Sequence, residues 1–171
     1  PSHGPAHDKP EIILSCYEEW ISDRVSNIAV IPYISMHGST ELMVSHLVSE
    51  LASLGVKAEK FELTTTDIGK LAMALVDAAT IVVGTPTVHV GPHPIVFNAV
   101  HLANAIRPKT KFAAVINSYG WASKAVEQIA EAIPNIKAEI LGSVSCKGLP
   151  RKTDYDAITA LAEKIRDKHA A

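Results

Sequence analysis

Two runs in this chain, Ile81-Val82-Val83 and Phe112-Ala113-Ala114-Val115-Ile116, are apolar at every position. Alternation would leave one face polar. An unbroken run suits a strand covered on both faces, as in a parallel sheet between two helical layers. Strand-like runs are predicted over 28–34, 79–84 and 111–117, with weaker ones over 57–63 and 136–141. Helical spacing follows over 41–54, 67–76, 94–106, 122–133 and 155–169. In the first of these, Leu42, Met43, Leu47, Leu51 and Leu54 share one face. Strand and helix in alternation predict an α/β fold: a doubly wound, five-stranded parallel sheet, order 2-1-3-4-5, with helices on both faces. Ligands of such sheets bind beyond the carboxyl ends of the strands.

The chain has 171 residues, 47% of them apolar, enough for one sizeable core. A net charge of -2 gives no electrostatic footprint for nucleic acid or an anionic membrane surface. No apolar run approaches a membrane span. Cys16 and Cys146 have no metal or redox spacing and read as free thiols of a reducing, cytoplasmic setting. The start at Pro1, without Met or a signal pattern, reads as an excised piece or a processed product rather than a natural start.

Three loops at strand ends carry the functional signal. The first, Ser35-Met36-His37-Gly38-Ser39-Thr40, joins a buried strand to a helix. Free amides and the positive end of that helix favour an anion, and the hydroxyls of Ser35, Ser39 and Thr40 add donors. The loop has no lysine, so it is not a triphosphate P-loop, and the lack of any G-x-G-x-x-G argues against a dinucleotide pyrophosphate site. A monophosphate held without a nearby cation points to a mononucleotide such as FMN. The second loop runs from Gly84 through Thr85, Pro86, Thr87, Val88, His89, Val90 and Gly91 to Pro92, His93 and Pro94. Its prolines stiffen it and its glycines admit close backbone approach. The third, Asn117-Ser118-Tyr119-Gly120-Trp121, sets two aromatics in one loop of a chain only 5% aromatic, suited to stacking on a flat heterocycle. His89 and His93 have metal-pair spacing only on a helix, which the prolines oppose. No acid, base or nucleophile constellation stands out, so no catalytic residue is assigned.

These loops, in this order, resemble the flavodoxin domain of the flavodiiron proteins (A-type flavoproteins). Pro1-Ser2-His3-Gly4-Pro5 resembles the end of that family's metallo-β-lactamase-like domain, and residues 11–22, with Tyr17 and Trp20, resemble the joining helix. The resemblance implies two parts: 1–26, the tail of the upstream domain plus linker helix, and 27–171, the FMN-binding domain. It implies FMN held by Ser35, Met36, His37, Gly38, Ser39 and Thr40 at the phosphate. Pro86, Thr87, Val88, His89, Gly91, Asn117, Ser118, Tyr119, Gly120 and Trp121 would clasp the ring. It further implies electron relay from a redox donor protein or reduced cofactor to a di-iron centre in an upstream domain. That centre reduces dioxygen or nitric oxide, usually in a homo-oligomer. His3 matches a family iron-ligand position, but its co-ligands would lie upstream, so no metal is expected in this piece. Family members commonly carry an asparagine and an aromatic where this chain has Val88-His89. Two other classes fit the fold: a self-contained NAD(P)H-quinone reductase, and a flavin-free binding module. A phosphoacceptor receiver is disfavoured, because Ile34 and Ser35 stand where an acidic acceptor would.

Overall fold

The computed structural model describes residues 4–6 and 8–171. His3 and most of the Pro-Ser-His-Gly-Pro start lie outside them, as does His7. The elements are α1 (Pro10–Ile21), β1 (Ser26–Tyr33), α2 (Ser39–Ser53), β2 (Lys57–Glu62), α3 (Ile68–Leu75), β3 (Ala78–Val88), β4 (Gly91–Pro92), α4 (Pro94–Ile106), β5 (Phe112–Tyr119), α5 (Ala125–Glu131), β6 (Glu139–Lys147) and α6 (Lys152–Ala170).

Parallel pairing runs β2-β1-β3-β5-β6, and β4 pairs antiparallel with the end of β3. The expected order 2-1-3-4-5 therefore holds for the parallel strands only when β4 is left uncounted. The described sheet has six strands, because the second loop folds back as a short hairpin, Thr87 opposite Pro92 and Val88 opposite Gly91. Two boundaries also need correction. β3 continues past Gly84 to Val88, pairing Pro86 with Ser118. The last strand is not 136–141 but Glu139–Lys147.

Side-chain alternation along β1 and β3 divides the interior. Ala29, Ile31 and Tyr33 face α2 and α6, packing on Met43, Leu47, Leu51, Ile158 and Ile165. Val30, Ile81 and Val83 face the other way, onto Leu71, Leu75, Val96, Val100 and Ile129 of α3, α4 and α5. Both faces of the sheet are thus covered, which is why its central strands are unbroken apolar runs. By contrast α1 buries none of its residues, and Lys109 Nζ reaches its Glu19 carbonyl at 2.8 Å.

His169, near the end of α6, closes the amino-terminal pole. Its Nδ1 donates to Asn27 Oδ1 at 2.7 Å, and its Nε2 lies 2.6 Å from the Thr80 hydroxyl. Its ring stacks on Phe112. Burial holds the imidazole below its ordinary value of 6.5. A ring kept neutral by the fold gives stability that is complete above that value and lost as pH falls toward the folded-state value, because the unfolded chain takes the proton first. Denaturant midpoints measured from about pH 7.5 to 5 should therefore fall on the acid side, and His169→Gln should flatten that limb. An unchanged acid limb in the variant would remove His169 as the cause.

Candidate functional site

The carboxyl ends of the parallel strands open into a cavity of about 710 Å³. Four separate loops wall it: Ser35, Met36, His37, Ser39 and Thr40; Pro86, Thr87, Val88, His89 and Val90; Ser118, Tyr119, Gly120, Trp121 and Ala122; and Gly148 with Leu149. Three are the loops singled out above. The fourth, after β6, is missed by sequence reasoning because the last strand is predicted too early. Its signal was present in the turn-forming run Gly148-Leu149-Pro150.

In the first loop Gly38 adopts a left-handed backbone (φ 85°) and caps α2. That is a turn only glycine makes at little cost. Ser35 Oγ accepts the amides of Gly38 at 3.1 Å and Glu41 at 3.2 Å, which keeps the loop folded on itself; among the described residues its own proton has no acceptor. The amides of Ser39 and Thr40 open α2 and have no intrahelical acceptor. Among the described residues they bond nothing else. Thr40, by contrast, is fully buried, and its hydroxyl meets Ser118 Oγ at 2.9 Å, tying the first loop to the third. Its side chain is a brace as much as a donor.

The first turn of α2 carries an acid, Glu41. Burial works against its charge, but hydrogen bonds from Tyr33, Lys60 and Ser45 outweigh this and hold it below its ordinary value. Lys60 Nζ lies 2.9 Å and Ser45 Oγ 3.0 Å from Glu41 Oε1. The same neighbourhood, burial first and then Glu41 and Glu62, pushes the Tyr33 phenol far up. Glu41 is thereby compensated by Lys60. None of the lining residues is Asp, Glu, Lys or Arg.

The second loop is a two-residue hairpin turn, with both His89 (φ 47°) and Val90 (φ 73°) left-handed. Such turns favour Asn-Gly because L side chains resist this region, valine more than most. The turn is nonetheless held, since Lys124 N–H donates to the Val90 carbonyl at 2.6 Å. Val90→Gly should relieve about 1 kcal/mol and raise the denaturant midpoint of the ligand-free protein. A lower midpoint would mean that packing of the valine outweighs the strain.

Behind the walls sit supports. Asn117 is fully buried and is not part of this cavity's lining. The Thr87 hydroxyl is shared between Asn117 Oδ1 (2.9 Å) and Ser123 Oγ (2.8 Å), while Asn117 Nδ2 donates to Ser123 Oγ at 2.9 Å. Gly91 is also buried away from the cavity, where a Cβ would come within 2.5 Å of Gln128 Oε1. Gly148 N–H donates to the Tyr119 carbonyl at 2.9 Å, joining the fourth loop to the third. Beneath it, burial and then Asp154 push the Cys146 thiol up to about 11, so it stays protonated. Trp121 stands 89% exposed on the rim, with Met36 and Leu149 also exposed.

No family model matches the chain. It is 29% identical to a nitric oxide reductase of Moorella thermoacetica over 168 residues, covering 96% of this chain and 42% of the relative. The structure of a rubredoxin oxygen:oxidoreductase from Desulfovibrio gigas superposes with a TM-score of 0.88 at 24% identity, over 94% of this chain and 40% of that one. A flavodoxin from the domain Archaea superposes with a TM-score of 0.70 at 22% identity, covering 84% of this chain and 99% of its own. The chain thus spans less than half the length of the curated relatives it matches, yet nearly all of a solved flavodoxin. Its fold is flavodoxin-like.

Proposed function

We propose that the chain binds FMN and relays electrons as the flavodoxin-like domain of a flavodiiron-type oxidoreductase. The observation that carries this is the first loop: the unengaged amides of Ser39 and Thr40 and the free proton of Ser35, at the mouth of a cavity without lysine or arginine. Those donors fit a phosphomonoester. The cavity volume fits a cofactor, since such clefts run from about 300 to 1,000 Å³. Bound FMN supplies reversible electron storage, and the protein supplies position and electrostatics.

The residues divide the work. Ser35, Ser39 and Thr40, with the Met36-His37-Gly38 backbone, hold the phosphate. Pro86, Thr87, Val88 and His89 border one side of the ring, and Tyr119, Gly120 and Trp121 the other, with Ser118 joined to Thr40 between them. Asn117 and Gly91 act from behind. Trp121, exposed on the rim, covers the ring or packs on a partner. In the whole protein, residues 27–171 relay electrons from a redox donor protein or reduced cofactor. The acceptor is a di-iron centre in an upstream domain that reduces dioxygen or nitric oxide in a cytoplasmic homo-oligomer. Residues 1–26 form the connection. Support comes from the names of the relatives and from α1, which buries no residue of its own.

The test is an FMN titration of the purified chain, followed by absorption and flavin fluorescence. Stoichiometric uptake with shifted bands is expected. No uptake would overturn the reading, and bleaching of bound flavin by NADH alone would transfer it to a quinone reductase.

A further inference from the structure

Among the described residues the cavity wall contains imidazoles and no other side chain that changes charge near neutral pH. His37 stands in the first loop and His89 in the second, and among the described residues Tyr119 is the remaining titratable one in the lining. His89 occupies the hairpin tip, where the left-handed turn and the Lys124 N–H bond to Val90 fix its backbone at the cavity wall. The α5 segment against this hairpin adds Lys124 and Glu127, both exposed. His93, at the start of α4, accepts the Ile95 amide through Nδ1 at 3.2 Å. Lys147 stands just before the fourth loop.

Given the FMN reading, on which this rests, the geometry points to His89 as a proton-coupled electrostatic switch for the bound flavin. A two-electron reductant such as dithionite delivers two electrons to the ring, which takes one proton and keeps one negative charge. No lysine or arginine of the wall meets that charge. An imidazole at the ring side of the cavity meets it by taking a second proton from water. The oxidised, uncharged ring offers the imidazole no such charge partner. Imidazole is the side chain whose charge changes between about pH 5 and 8, so the coupling operates there. His37, at the phosphate end, faces a charge that is the same in both redox states. It therefore biases binding and not reduction.

The experiment is a redox titration of the FMN-loaded protein, followed by absorption, at a series of pH values. In the parent protein the midpoint potential should steepen in the histidine range by one further proton for each electron pair. His89→Asn keeps the turn, because asparagine tolerates the left-handed region. It should remove the steepening and, on the acid side, weaken binding of reduced over oxidised flavin about three- to tenfold. His89→Lys carries a fixed charge, so it should also lose the steepening but keep reduced flavin favoured at every pH. His101→Gln, on an exposed turn of α4, should behave as the parent. Equal pH dependence in His89→Asn and the parent, or a His89→Lys variant indistinguishable from His89→Asn, overturns the inference while leaving FMN binding intact. Failure of the parent protein to take up FMN overturns both.

Discussion

Gly84→Ala should lower the stability of the ligand-free protein by about 3 kcal/mol, the upper range for overpacking a rigid core. A Cβ at this position would come within 2.7 Å of Tyr33 Cβ and 3.0 Å of Val44 Cγ2. Neither atom is the free end of a flexible side chain, because Tyr33 sits on β1 and Val44 on the buried face of α2. The backbones must then move apart, and Gly84 is hydrogen bonded to the strand it would push, with Ile34 N–H donating to its carbonyl at 3.3 Å. For a domain of this size the loss is about 6–12 °C in Tm. The displacement also reaches the site, because Thr40 Cγ2 lies 3.5 Å from the same point. Flavin affinity should fall with stability. A variant that melts within a degree or two of the parent would show that the sheet opens here at little cost.

Removing both hydroxyls at the start of α2, in Ser39→Ala/Thr40→Ala, should weaken FMN binding by about 1–3 kcal/mol, roughly five- to 150-fold in Kd. The two parts are unequal in kind. Ser39 stands at the wall and loses a direct donor. Thr40 is buried against Ser118, so its loss also leaves the Ser118 hydroxyl without its partner. Melting curves of the two single variants separate the effects: Ser39→Ala should leave Tm unchanged and Thr40→Ala should lower it. The amides of both positions survive the substitutions, so binding should weaken and not vanish. Parent-like affinity in the double variant would move the phosphate away from this loop.

Much of this arrangement was legible because burial on both faces leaves a plain sequence mark. β1, β3 and β5 are sandwiched, and their apolar runs announce them. β6 lies at the sheet edge, and its Ser143, Ser145 and Lys147 face outward between buried Leu141, Val144 and Cys146. An irregular register beside Gly142 (φ 150°) breaks the period further. The apolar stretch that drew the prediction instead places Ile136 in the core after α5, ahead of the strand. That displacement hid the Gly148-Leu149 wall. The hairpin was hidden for another reason. Val88-His89-Val90-Gly91 lacks the Asn-Gly pair that such turns favour, and the prolines around it read as loop. Pro86 lies in β3 because the strand has by then outrun β1 and keeps only β5 as a partner there. The paired aromatics of the third loop mark Trp121 as a rim residue in the sequence, and its side chain stands open to solvent at the cavity wall.

The two apolar layers end beneath the strand tips, and the walls of the cavity lie almost wholly outside them. Their joints are hydroxyls and amides, as in Thr40 with Ser118 and Thr87 with Asn117 and Ser123. Exposed wall positions such as Met36, His89 and Leu149 can therefore drift from one descendant to another without the interior registering the change. A lineage built on this frame can retune what it holds, or at what driving force it passes an electron on, while inheriting the same frame unaltered.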